Sequence, residues 1–327
     1  MRLADLETLP AFAFLGPGFG GGGAVLLTDL RAAPRAPRLL FAPYGTPGRD
    51  ALLLDGEIRP VDTLELPPAA VLAPRLDDAG HAEAVAVIRE AIAAGDVYQV
   101  CFTVRARLAP VSGASLLARM AALGLPRFAA WVRLPGGVEF VSASPELLFE
   151  IDGGRIRSEP MKGTARPDAA GTLAASDKDR AELAMITDLV RHDLTPLCRP
   201  RSVVVRAERR FVHLPYATQT VSDVEGELLP GVTALDALDA LHPGGSVTGA
   251  PKRAARAMID RLERSPRGAY CGALGFAAGG RTTASLLIRT AIRDAAGWVY
   301  GVGGGIVHDS DPGLELAELH MKLGALR

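Results

Sequence analysis

Lys162 and Glu146 are the two side chains whose types and spacing suggest covalent chemistry in this chain. Lys162 stands in the run Ser158-Glu159-Pro160-Met161-Lys162-Gly163-Thr164-Ala165-Arg166-Pro167, 16 positions after the Glu146 carboxylate. An amine in a tight loop 16 positions after a carboxylate can act as a covalent nucleophile. Taken alone, a lysine before glycine is most often a solvated turn residue.

Further charged residues could complete a site. Glu315 and Glu318 lie at i and i+3 on a predicted final helix, with Lys322 at i+7, so the three share one face. By itself that is an ordinary solvated face. Glu182, on a different predicted helix, could close a magnesium site with them, since magnesium takes one or two carboxylates plus waters or substrate oxygens. Arg289 interrupts the apolar run Ala284-Ser285-Leu286-Leu287-Ile288. A buried arginine there needs an anionic partner, either structural or substrate. Gly303-Gly304-Gly305 permits close backbone approach, and Thr248-Gly249 ahead of Pro251 offers backbone donors to an anion.

The elements that must position these residues are legible in part. Residues 1 to about 77 are rich in Gly and Pro and read as short strands joined by turns. Leu15-Gly16-Pro17-Gly18-Phe19-Gly20 lacks a following GK[ST], so it reads as a hairpin turn and not a phosphate loop. From Asp78 the pattern changes. Ala84, Val85, Ile88 and Ile92 have helical spacing and Gly95 stops them. Tyr98, Val100, Phe102, Val104, Ala106 and Leu108 then alternate with polar or small residues, the period of a strand with one buried face. Gln99 falls on its polar face. Phe140 to Ile151 is a strand pattern broken at Ser144-Pro145-Glu146. Leu183, Ile186, Val190, Leu194 and Leu197 stripe a helix from Asp177, and Pro251 opens another through Met258 and Leu262.

Composition excludes several function classes. With 36 basic and 37 acidic residues the 327-residue chain has a formal charge of −1, so no general field favours nucleic acid or an anionic membrane. Cys101, Cys198 and Cys271 are odd in number and lack metal-like spacing, which points to a reducing compartment. No run approaches the roughly 20 apolar residues of a membrane span, and acids precede any apolar stretch at the N-terminus. The expectation is a cytoplasmic protein with neither nucleic-acid nor membrane partners.

Six ordered runs together resemble the chorismate-utilising enzymes, the family of anthranilate, isochorismate and aminodeoxychorismate synthases. They are Gly95-Asp96-Val97-Tyr98-Gln99-Val100, Ser144-Pro145-Glu146-Leu147-Leu148, Pro160-Met161-Lys162-Gly163-Thr164, Asp188-Leu189-Val190-Arg191-His192-Asp193-Leu194, Pro243-Gly244-Gly245-Ser246-Val247-Thr248-Gly249-Ala250-Pro251-Lys252 and Gly303-Gly304-Gly305-Ile306-Val307. The resemblance covers residues 78–327, taken as the catalytic region, with 1–77 a short β-rich part packed on it. It implies an α+β fold of two orthogonally packed antiparallel sheets with helices on the outer faces, a four-layer αββα arrangement.

The resemblance also implies roles. Glu182 and Glu318 would bind Mg²⁺ with Glu315 in support, the metal holding the ring carboxylate of chorismate. Arg289, Tyr270 and the backbone at Gly303 would hold the enolpyruvyl carboxylate, Thr248 and Gly249 would line the ring pocket, and Glu146 would be the general acid. Lys322 and Gln219 complete the expected substrate contacts, although the family commonly has histidine where Gln219 stands. Lys162 places the chain nearest the aminodeoxychorismate synthases, in which this lysine attacks C2 before ammonia enters at C4. Anthranilate synthases carry a small residue there. Isochorismate and salicylate synthases place a lysine base at the position of Gln99, which cannot serve as one. The implied product is 4-amino-4-deoxychorismate, precursor of 4-aminobenzoate. No glutaminase signature surrounds any cysteine, so ammonia is expected from solution or from a separate glutamine amidotransferase subunit. Anthranilate formation, another amination of chorismate, and a silent binding subunit remain the competing readings.

Overall fold

The computed structural model describes residues 1–327 apart from 21, 36, 166–169, 215, 216, 325 and 327. Arg166 and Pro167, the end of the lysine run, therefore lie outside the described residues. Among the described residues eighteen strands join into one hydrogen-bonded network, and every pairing between them is antiparallel. The α+β antiparallel expectation holds, with the strands continuous through shared pairings. No helix among the described residues is long and apolar enough to cross a membrane.

The layering follows from strands buried on both faces. In Phe128–Arg133, Ala129 and Trp131 enter one core cluster while Phe128, Ala130 and Val132 enter another. Phe12–Leu15 does the same, with Phe12 and Phe14 on one side and Ala13 and Leu15 on the other. Successive side chains point to opposite faces, so an unbroken apolar run marks a strand sandwiched between two cores. The N-terminal strands belong to this network: Leu39–Ala42 pairs with Ala273–Ala278, and Leu3 and Leu6 share a core cluster with Leu319 and Leu323 of the last helix. Phe12–Leu15 and Ala24–Ala32 form the expected hairpin, with the one-turn helix Pro17–Gly20 inside the connection.

The structure corrects three local expectations. Tyr98 precedes the strand Gln99–Arg107 and is 71% exposed, whereas Gln99 is 1% exposed, so the polar amide sits on a buried face. Lys162 lies on a short strand, Met161–Ala165, and not in a tight loop. Its register against Ala217–Glu227 slips between Lys162 and Thr164, which places a bulge at Gly163. Arg289 is not inside a strand, because Arg281–Leu286 ends before it and Thr290–Asp294 begins after it. It sits at that break with φ 49° and is partly buried. The triple glycine lies within the strand Gly297–Ile306, which ends before the helix Pro312–Gly324. The helices His81–Ala93, Asp177–Leu194 and Lys252–Leu262 fall where their apolar stripes place them.

Candidate active site

Glu146 is aimed by a break in the sheet. Pro145 has no N–H to donate, and the ladder stops between Glu139–Ser144 and Leu147–Asp152. The Glu146 carbonyl accepts from the Leu286 N–H at 3.2 Å and from the Ser285 hydroxyl at 3.0 Å, which fixes its backbone. Its side chain is buried, and Oε1 accepts from the Ser246 hydroxyl at 2.8 Å. Burial pushes its pKa up to about 7, against the pull of Ser246, the Lys162 charge and the Met161 N–H. A carboxyl poised there is divided between its acid and carboxylate forms near neutral pH and can pass its proton on.

Lys162 Nζ lies 3.6 Å from Glu182 Oε2, and both side chains are almost enclosed. Its backbone carbonyl accepts from the Thr220 hydroxyl, which ties the lysine strand to its neighbour just ahead of the bulge. Glu182 projects from Asp177–Leu194, which Ser176 caps by accepting from the Asp179 N–H at 3.1 Å.

The carboxylates of the two helices meet around a residue the sequence reading missed. Lys178 Nζ lies 3.6 Å from Glu315 Oε1 and 4.0 Å from Glu182 Oε1. Burial lowers the Lys178 pKa, but the pull of Glu315, Glu182 and Glu318 outweighs it and leaves it raised. Lysine in the first turn of a helix gains nothing from the helix dipole, so the carboxylates account for its placement. The signal was present in the sequence, since Lys178 and Glu182 are at i and i+4. Glu315 is buried and accepts from the Ser310 hydroxyl at 2.6 Å, so it is not on a solvated face. Glu318 Oε1 pairs with Lys322 Nζ at 2.7 Å. Burial raises its pKa, but Lys322, with Lys178 and Lys162 behind it, pulls it below the usual value.

The glycine strand forms the floor beneath these groups. Lys322 Nζ donates to the Gly303 carbonyl at 2.7 Å. A Cβ on Gly304 would lie 3.3 Å from Glu315 Oε2. A Cβ on Gly305 would lie 2.0 Å from Gln99 Nε2 and 3.4 Å from Lys162 Nζ, so only hydrogen leaves room for amide and amine together. Gln99 Oε1 is buried without a hydrogen-bond partner.

The remaining predicted contacts lie around this centre in different states. Gln219 is buried, donates from Nε2 to the Thr164 hydroxyl at 3.3 Å, and also has an unpartnered Oε1. Gly249 pairs with Val100 on the strand that carries Gln99. Thr248 is fully buried, and its hydroxyl donates to the Gly244 carbonyl at 2.9 Å. Tyr270 packs on Gly301, two residues from Gly303, with the Arg105 guanidinium 5.4 Å from its ring centre. The Arg289 carbonyl accepts from the Ala143 N–H at 3.0 Å, which places its backbone beside the strand that leads to Glu146.

No group of three or more His, Cys, Asp or Glu among the described residues is spaced to hold a metal ion in this side-chain arrangement. The same carboxylates nevertheless surround one cation, the Lys178 ammonium, and an all-oxygen donor set of this kind suits a hard divalent ion.

A layered antiparallel sheet thus holds a buried acid, an enclosed amine and a carboxylate cluster over a glycine strand, a setting suited to acid–base chemistry. The chain belongs to the chorismate-binding enzymes, whose family model matches residues 51–327. It is 39% identical over 247 residues to anthranilate synthase component 1 1 of Haloarcula marismortui, covering 72% of this chain and 50% of that protein. It is 40% identical over 268 residues to aminodeoxychorismate synthase of Streptomyces pristinaespiralis, covering 76% of this chain and 36% of that protein. The chain thus spans half or less of the length of these curated relatives. Among solved structures, anthranilate synthase component I of Streptococcus pneumoniae superposes with TM-score 0.70 at 30% identity, covering 81% of this chain and 61% of that one. The menaquinone-specific isochorismate synthase MenF of Escherichia coli superposes with TM-score 0.81 at 18% identity, covering 99% and 90%, and shares the fold.

Proposed function

We propose that the chain aminates chorismate at C4 through a covalent adduct on Lys162, giving 4-amino-4-deoxychorismate. The observation that carries this reading is the enclosed amine of Lys162 acting on a buried Glu146 whose pKa lies at about 7. Lys162, as free amine, attacks C2 of the ring while Glu146 hands its proton to the departing C4 hydroxyl, which leaves as water. Ammonia then attacks C4, the ring double bonds shift back and the lysine is expelled as amine. The likeness to the Streptomyces aminodeoxychorismate synthases supports the same assignment.

Glu182, Glu315 and Glu318 would hold Mg²⁺, and a divalent cation there would neutralise a substrate carboxylate. Lys162 and Glu182 are ion-paired in this structure, so Glu182 also orients the amine. Lys322 stays anchored on Gly303 and keeps Glu318 oriented. Gln99 beside Lys162 fills the position where a base would activate water, and an amide cannot take a proton, so amination is favoured over hydration. Ammonia comes from solution or from a separate glutamine amidotransferase subunit.

The relatives include anthranilate synthases, so amination at C2 is the second reading. Incubation with chorismate, Mg²⁺ and ammonium separates the two by product: fluorescent anthranilate as the main product would sink the C4 reading. Intact mass with chorismate but no ammonia should show an adduct on the protein, absent in Lys162→Ala. Binding of chorismate and Mg²⁺ with no turnover at any ammonia concentration would instead indicate a silent binding subunit.

A further inference from the structure

Glu146 is held from one side by a residue that the amination reading leaves without a role. Ser246 sits in the one-turn helix Gly245–Thr248 and donates its hydroxyl to Glu146 Oε1 at 2.8 Å. It is partly exposed, while its neighbours Gly244, Gly245, Val247 and Thr248 are buried. The turn is pressed down on both sides. A Cβ on Gly245 would lie 2.5 Å from Leu189 Cδ2 of the long helix, and one on Gly244 would lie 3.4 Å from the Leu286 methyls. The Val247 carbonyl accepts from the buried Arg267 guanidinium at 2.5 Å, and the Thr248 hydroxyl closes the turn on Gly244. The seat of the Ser246 hydroxyl is therefore fixed by packing, and it faces the carboxyl.

We propose that Ser246 is a positioning residue for the Glu146 proton donor, its packed-in hydroxyl holding the carboxyl at Oε1 in one orientation. The proposal rests on the reading of Glu146 as general acid. The Ser246 hydroxyl holds the carboxyl at Oε1 and the Met161 N–H also reaches it, so two uncharged partners fix its orientation. The Ser246 bond is stronger to the carboxylate than to the acid, so it opposes burial and eases release of the proton. Lys162 is the charged side chain acting on Glu146, from the lysine strand. The turn and the strand Arg281–Leu286 reach Glu146 through Ser246, Ser285 and the Leu286 N–H, none of which carries charge.

The test is the pH profile of kcat and kcat/KM for the wild type, Ser246→Ala, Ser246→Thr and Glu146→Gln. Ser246→Ala should move the alkaline limb to higher pH, because Glu146 keeps its proton longer, and should lower kcat by roughly three- to tenfold with little change in KM. Ser246→Thr, which keeps the hydroxyl, should restore the limb. If Ser246→Ala does not fold, Ser246→Cys, a much weaker donor, should shift the limb in the same direction. An alkaline limb that stays in place while Glu146→Gln is inactive would overturn the role of Ser246 alone. Full turnover by Glu146→Gln would remove the general-acid reading and this proposal with it.

Discussion

At the scale of single residues, the burial of Glu146 makes stability depend on pH. Its pKa is about 7 in the fold against 4.5 as the ordinary value, so the folded chain binds this proton more tightly than the unfolded chain does. Its contribution therefore favours the fold at low pH and is lost as pH rises from the unfolded value through 7. Across that window the loss is roughly 2–4 kcal/mol. Urea denaturation at pH 5 and pH 8 should show a stability difference that shrinks by about that amount in Glu146→Gln. An unchanged difference would mean that the carboxyl is not desolvated. The types of Glu146 and Lys162 and their order were legible in the sequence. Their enclosure was not, because burial depends on strands distant in the chain, Arg281–Leu286 and Ala217–Glu227.

At the scale of elements, the glycine strand explains why three side chains from different places share one small space. Gln99 comes from its neighbour strand, Lys162 from a bulged strand and Glu315 from the last helix, and each approaches one of three consecutive glycines. Gly305→Ala would put a methyl where the Gln99 amide lies, with Lys162 Nζ next to it. Overpacking of this kind costs about 1–3 kcal/mol of stability. Displacing Lys162 by about an ångström should lower kcat/KM by roughly 100-fold. Steady-state kinetics and denaturation on the same preparation would reveal the pattern: a stability loss without a kinetic one would remove Gln99 and Lys162 from a shared site. Alternation placed Gln99 on a polar face, and the structure buries it, since the start of Gln99–Arg107 is covered on both faces. A one-face pattern cannot reveal a second layer that arrives from elsewhere in the chain.

At the scale of the whole molecule, one buried ion pair joins three parts of the site. Arg267 is about fully buried and donates to Glu263, to the Cys101 carbonyl at 2.7 Å and to the Val247 carbonyl at 2.5 Å, with its guanidinium 4.4 Å from the Tyr44 ring centre. Glu263 Oε1 in turn accepts from the Thr103 N–H at 2.9 Å and the Thr103 hydroxyl at 2.8 Å. Cys101 and Thr103 are the register partners of Gly305 and Gly303, so the pair braces the back of the glycine floor and the Ser246 turn together. Arg267→Met leaves Glu263 charged and unpaired, and should cost about 3–5 kcal/mol. Arg267→Met with Glu263→Leu should cost less than the two single changes summed, as a thermodynamic cycle from urea denaturation would measure. Strict additivity would argue that the two charges do not act as one unit.

The sequence by itself carried the ordered motifs that resemble the family, and through that resemblance the antiparallel α+β class and the candidate side chains Glu146, Lys162, Glu182, Glu315 and Glu318, because ordered motifs are local properties of the chain. Tertiary structure decided what those groups do to one another. It brought Glu182 and Glu315 around Lys178, buried Glu146 until its proton is held near neutral pH, and moved Arg289 out of a strand into a break. The physical reason is that charge interactions and desolvation depend on distances through space, and spacing along the chain constrains those only within a single helix or strand.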